Sequence, residues 1–153
     1  MSDAADPPDL LSRPLVPVAS EEDAVDTCRA AFPRIAAVGG RPVVVHIIEK
    51  AGGAPDKASV EQRETVAEAA FDAVRDCAAD HGLDVETKIS YGRDVAGTII
   101  EAADDIDASA IVFRPRGGSW LLDLLTGDVR DALVTESDRP VVVLPDADTE
   151  GGR

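Results

Sequence analysis

Aromatic side chains are scarce in this chain, which has three Phe, one Trp and one Tyr among 153 residues, so its core must be assembled mainly from aliphatic residues. Cysteine is scarcer still. Cys28 and Cys77 show no CxxC spacing and no adjacent histidine, and with 44% apolar residues the chain can bury a core without disulfides or metal. Both are expected to be buried, reduced thiols inside helices, with a redox or metal role as the alternative. No apolar run approaches ~18 residues, so no membrane insertion is expected. Positive charge is also short: 15 basic residues, of which only Lys50, Lys57 and Lys88 are lysines, face 30 acidic ones, for a net charge of −15. No Lys/Arg cluster of the size that phosphates demand is present, which excludes nucleic acid or an anionic membrane as a general partner.

What the chain has in abundance is acid. Such a surface resembles that of proteins from salt-loving, halophilic organisms, where salt shortens the Debye length to ~3 Å or less. In dilute buffer the same charges repel one another, so low salt is expected to destabilise the fold. The length suits one domain. Residues 1–12 and 146–153 combine Pro, Gly and acidic residues with little to bury, and are expected to be flexible segments flanking a domain over residues 13–145. The opening MSDAADPPDLL is acidic where a secretion signal is basic, which points to a cytoplasmic location.

Short apolar runs alternate with amphipathic stretches, the pattern of crossover units in a parallel sheet. Strands are predicted over residues 15–18, 42–48, 85–90, 110–113 and 141–144. Four are near-continuous apolar runs, suited to burial on both faces. The third differs, since Val85, Thr87 and Ile89 alternate with Glu86, Lys88 and Ser90, which places it at an edge. The first helix opens at Ser20 with Asp23 three residues on, carries Val25, Cys28, Phe32 and Ile35 on one stripe, and stops at Gly39 and Gly40. Pro33 removes a backbone donor within that stripe, so a kink or early break is expected there. The second helix takes Ser59 as cap with Gln62 completing a capping box, and buries Ala67, Ala70, Phe71, Val74, Cys77 and Ala78 before Gly82. A third follows Tyr91 and Gly92 with Val95, Ile99, Ala102, Ala103 and Ile106 at helical spacing. The last begins near Asp128 and ends before Pro140. Right-handed crossovers and the edge character of the third strand give an α/β fold: one doubly wound, five-stranded parallel sheet of order 3-2-1-4-5, Rossmann-like, with helices on both faces. The crevice between strands one and four is where a ligand should sit, which directs attention to residues 17–20, 46–49 and 113–129.

The loop after strand one, Val18-Ala19-Ser20-Glu21-Glu22-Asp23, has neither GxGxxG nor GxxxxGK[ST], which excludes dinucleotide and P-loop chemistry of the usual kind. Its acids invite comparison with a phosphoacceptor receiver domain, but strand three ends Ile89-Ser90-Tyr91-Gly92 without the aspartate, and the last strand ends Leu144-Pro145 without the lysine, that such a site needs. Acidic residues in a first helical turn also favour the helix dipole. His46 reads as a satisfied strand-end residue and His81 as a helix C-terminal one; neither is a catalytic candidate, and no residues have metal-ligand spacing.

Strand one LVPV, strand two ending VVVHIIEK, the unit YGRDVAGTIIEAADDIDASAIVF and the last strand PVVVLP together resemble the universal stress protein family over roughly residues 14–145. The resemblance implies the adenine nucleotide alpha hydrolase-like version of the fold. Nucleotide-binding members carry G-x2-G-x9-G-[ST] after strand four. Counting back from Gly127 puts the middle glycine at Gly117, the first at Arg114, and the final Ser/Thr at Asp128. The aspartate placed after strand one for adenosine contacts aligns with Ala19. A hydrolase or ligase relative with SGGxDS after strand one is excluded, because that motif is missing.

By this resemblance Pro17, Ile47, Phe113, Gly117, Gly127 and Val129 supply the walls of a nucleotide pocket, while Ala19, Arg114 and Asp128 depart from it. Arg114 would fill the space of the first glycine or redirect the loop. Asp128 only accepts hydrogen bonds and sets negative charge where phosphates would lie, a repulsion of about 1 kcal/mol or more once partly desolvated; its structural role would be to cap the last helix. The implied function is a regulatory or binding module, non-catalytic, with a vestigial nucleotide site and no cofactor, or alternatively ATP or another nucleotide held by a modified loop. Arg114 and Arg116 either bind another anion or pair with the acidic surface. The implied partners are a second copy, joined through the last strand at Val141, Val142, Val143 and Leu144, and a further protein.

Overall fold

The computed structural model describes residues 9–49, 57–114 and 127–145, without the side chains of residues 49, 57–59 and 127–130. Gly117, Arg116 and most of the two terminal segments lie outside the described residues. Within the N-terminal segment expected to be flexible, residues 9–12 form a turn that is held in place. Ser12 N–H donates to the Asp9 carbonyl, the Ser109 hydroxyl donates to the Leu10 carbonyl, and Leu11 packs on the core.

The elements run β1 (Pro14–Val18), α1 (Glu21–Ala37), β2 (Val43–Glu49), α2 (Lys57–Asp80), β3 (Glu86–Gly92), α3 (Val95–Ile106), β4 (Ala110–Phe113), α4 (Gly127–Glu136) and β5 (Val141–Val143). All paired strands are parallel, in the order β3-β2-β1-β4-β5 expected from the sequence. Strand alternation splits the core in two. Val16, Val18, Val44, Ala110, Val112 and Leu144 face α1 and α2, whereas Leu15, Val43, Val45, Ile111 and Phe113 face α3 and α4. With so few aromatics, alanine does much of the helix packing: Ala24, Ala31, Ala67, Ala70, Ala102 and Ala103 are buried and let the helices lie close to the sheet.

Four local expectations change. Helix α1 is not broken at Pro33 but runs on to Ala37, with Pro33 on its exposed side and the neighbouring Arg34 guanidinium donating to the Ala30 carbonyl. Its buried face includes Ala24 in place of Val25, and it ends as expected. Gly39, at φ 69°, and Gly40 return their N–H groups to Ala36 and Ile35, the bonding pattern of a Schellman cap. Helix α2 starts at Lys57, so Ser59 lies inside its first turn and is not its cap. Likewise α4 starts at Gly127, which places Asp128 inside the helix. Local cap chemistry is a weak guide once neighbouring packing extends a helix by a residue or two.

Candidate functional site

The sheet order reverses between β1 and β4, and their pairing is brief: only Pro14↔Ala110 and Leu15↔Ile111, against four pairs between β1 and β2. Pro17, buried opposite Val45, lies just past the end of that short ladder and has no N–H to extend it. The two strands therefore part at their C-terminal ends, which is where ligands of doubly wound sheets bind.

On the α3 side of this opening the structure brings together three of the predicted residues. Phe113, the last residue of β4, is fully buried, and the half-buried Ala19 and Ile47 pack onto the same cluster. They form an apolar wall at the ends of three adjacent strands. Gly127, Asp128 and Val129 form the first turn of α4.

Arg114 does not fill the space beside that wall. Being next to Phe113, it takes the opposite direction, and its guanidinium Nη2 meets the Asp26 carboxylate of α1 at 3.4 Å with its side chain only 2% exposed. Of the two roles foreseen for Arg114, anion capture and pairing with an acid of the protein, the second is the one observed. A buried guanidinium of this kind needs its carboxylate, since an uncompensated charge there is strongly unfavourable.

The loop after β1 is held by an acid whose burial sequence reasoning misses, since it reads there only as the third residue after the Ser20 cap and as a partner of the helix dipole. Asp23 is 3% exposed; its Oδ2 accepts the Ala19 N–H at 3.1 Å, its Oδ1 accepts the Thr27 hydroxyl at 3.3 Å, and its own N–H donates to Ser20 Oγ at 3.1 Å. Ser20 is thus the expected N-cap, and Asp23 answers it in a variant of the capping box that reaches one residue further back. Spacing carries the missed signal: Asp23, Thr27 and Ala30 lie on one helical face beside the apolar stripe, a position that an acid occupies only when its oxygens are satisfied.

His46 is satisfied as expected, but it lies in the middle of β2 and not at its end: aligned with Val18 of β1, it has Nδ1 3.1 Å from the Val18 carbonyl. Burial pushes its pKa down, partly offset by that hydrogen bond. His81 lies far from the opening, just past α2, with Nδ1 3.0 Å from the Cys77 carbonyl, a hydrogen bond that raises its pKa. Cys28 is buried, whereas Cys77 is only half-buried, contrary to expectation.

No three metal-ligating side chains gather among the described residues, and no helix among them is long and apolar enough to cross a membrane.

Comparison with known proteins follows the same outline. The chain matches the model of the universal stress protein family over residues 12–145. A search of curated proteins finds no match. Among solved structures it is similar to a universal stress protein family member from Burkholderia pseudomallei, with 24% identity, 91% of this chain and 99% of that one covered, and a TM-score of 0.67. It is also similar to the Archaeoglobus fulgidus universal stress protein in complex with dAMP, with 22% identity, 86% and 96% covered, and a TM-score of 0.62. A family protein from Arabidopsis thaliana with AMP bound gives 16% identity, 91% and 94% covered, and a TM-score of 0.63. At these identities the likeness to the solved structures shows the fold.

Proposed function

The chain belongs to the universal stress protein family, and from that premise we propose that it is a non-catalytic binding module whose crevice takes an adenine nucleoside or nucleoside monophosphate in preference to ATP. The observation that carries this reading is the direction of Arg114. Because its side chain turns into α1 to meet Asp26, the Arg114 guanidinium does not stand against Ala19 and Ile47, the half-buried part of the apolar wall that a flat base would meet. Two solved proteins of the same fold hold dAMP and AMP, which supports an adenine ligand. Asp128, in the first turn of α4, opposes further phosphates, because its charge offsets the positive end of the helix on which they would lie.

Calorimetric titration with adenosine, AMP and ATP plus magnesium, in molar salt, tests the proposal. The expected result is AMP binding at least tenfold tighter than ATP, no ADP release, and recovery of ATP affinity in Asp128→Ser. Equal or tighter binding of ATP by the wild type would overturn the preference. No binding of AMP at millimolar concentration would favour a second reading, a partner-binding module with a disabled site, for which Ala19 in the place of an adenosine-contacting aspartate already argues.

The module acts as a homodimer in the cytoplasm in this proposal. Strand β5 lies at a sheet edge with Val143 47% exposed, an arrangement that favours pairing with a second copy, and unbridged thiols suit a reducing compartment. Light scattering at micromolar concentration and molar salt should give twice the monomer mass, and Val143→Lys should halve it.

A further inference from the structure

We propose that Cys28 and Cys77 are a peroxide-reactive pair that closes into a reversible disulfide between α1 and α2, with Cys77 as the attacking sulfur and His81 as the residue that positions and activates it. The two are the only cysteines of the chain and lie on helices that pack against each other. Both helices run opposite to the parallel strands that they connect on one face of the sheet, and so run parallel to each other. Their side chains meet in rungs. One turn beyond Cys28, the Phe32 ring stands edge-on to the His81 ring, one turn beyond Cys77, with centroids 6.5 Å apart. The rung below sets Cys28 against Cys77, and both belong to the same core cluster.

The pair is asymmetric in the way that a nucleophile and a resolving thiol must be. Cys77 is half-buried, which leaves it within reach of a small oxidant, with Sγ 4.0 Å from His81 Nδ1; His81 in turn lines an open pocket of about 350 Å³ with Ala36, Gly39, Arg41 and Leu83. The neighbouring Cys28 thiol, and then the charge of His81 and its contact with the sulfur, bring Cys77 down to about 7 against the opposing effects of burial and Asp80. Cys28 is pushed the other way by the neighbouring Cys77, by burial and by the charge of Asp23, so it stays protonated until it is needed. The three groups do not form a metal-ligating set.

The chemistry balances with hydrogen peroxide as oxidant. The Cys77 thiolate attacks one peroxide oxygen, the O–O bond breaks, and the departing hydroxide takes the proton that Cys77 lost, giving a sulfenic acid and water. Cys28 sulfur then attacks Cys77 sulfur, the S–O bond breaks, and the hydroxyl leaves with the Cys28 proton as a second water. Two thiols have lost two electrons and one peroxide has gained them.

The test treats the full chain in molar salt with hydrogen peroxide, blocks remaining thiols, and maps the non-reduced peptides by mass spectrometry. The expected product is a monomer two hydrogens lighter, with Cys28 linked to Cys77 and restored by dithiothreitol. In Cys28→Ser, Cys77 should be trapped by dimedone as the sulfenic acid. Alkylation of the untreated wild type by iodoacetamide needs no variant: Cys77 should react at least tenfold faster than Cys28 at pH 7, and His81→Asn should move the midpoint of its pH profile upward. Two free thiols after peroxide, links only between separate chains, or equal alkylation rates at the two positions would each overturn the proposal.

Discussion

Removing the Asp26 carboxylate would take an ion-pair partner from the Arg114 guanidinium in the protein interior. Asp26→Ala should therefore cost about 2–3 kcal/mol in urea unfolding, somewhat less than a fully buried pair because Asp26 is 22% exposed. Arg114→Met, which keeps apolar volume and removes the charge, should cost less, and neither should alter AMP affinity as much as a bulky replacement at Ala19. His46 gives a pH signature. Its folded pKa lies below the ordinary ~6.5 because of burial, so the unfolded chain binds the proton more readily. Stability is full above ~6.5 and is lost as pH falls below it. His81, with its raised pKa, works in the opposite sense: its contribution is present below ~6.5 and disappears as pH rises through its folded value. Urea titrations from pH 5 to 8 should show a flatter acid limb for His46→Gln than for the wild type, and an unchanged limb would show that burial of His46 is not coupled to protonation. Arg114 itself could be picked out from the motif spacing, but not its partner. Asp26 is one of 30 acidic residues, and only the packing of α1 against the sheet selects it.

Segments with strong periodicity were legible in advance, and their ends less so. The fourth strand, the stripe of α2 and the glycine stop of α1 follow from a continuous apolar run, from helical spacing and from the φ > 0 that Gly39 tolerates. Gly40 adds a tertiary requirement, because a Cβ there would collide with the Leu11 carbonyl and press on Ile35. Gly40→Ala should destabilise by about 1–3 kcal/mol through displacement of the N-terminal turn, read as a lower urea midpoint with the slope unchanged. Pro33 shows why a local rule failed. A proline inside a helix forfeits one hydrogen bond, but Phe32 and Ile35 on either side of it are fully buried, and the apolar contacts they make outweigh that loss.

Across the molecule, two acidic residues for each basic one leave a surface that internal pairing cannot neutralise. Ion pairs such as Lys88 to Asp105 and Arg139 to Asp104 and Asp107 tie neighbouring elements together but are partly exposed and individually weak. Screening should dominate. Raising salt from 0.1 to 2 M should stabilise the fold by on the order of 2 kcal/mol, or about 4–8 °C in Tm, whereas a flat salt profile by scanning calorimetry would remove the basis for a salt-adapted surface. The sequence by itself determined the α/β class, the strand order and the family, because each rests on repeated short-range patterns: apolar runs, helical stripes and glycine stops, read in order along the chain. The tertiary structure decided which way Arg114 points, which acid it meets, that Asp23 is an interior hydrogen-bond acceptor, and that Cys28 faces Cys77. Each of these depends on which faces of separate elements are pressed together, and at a separation of tens of residues no local pattern records that choice.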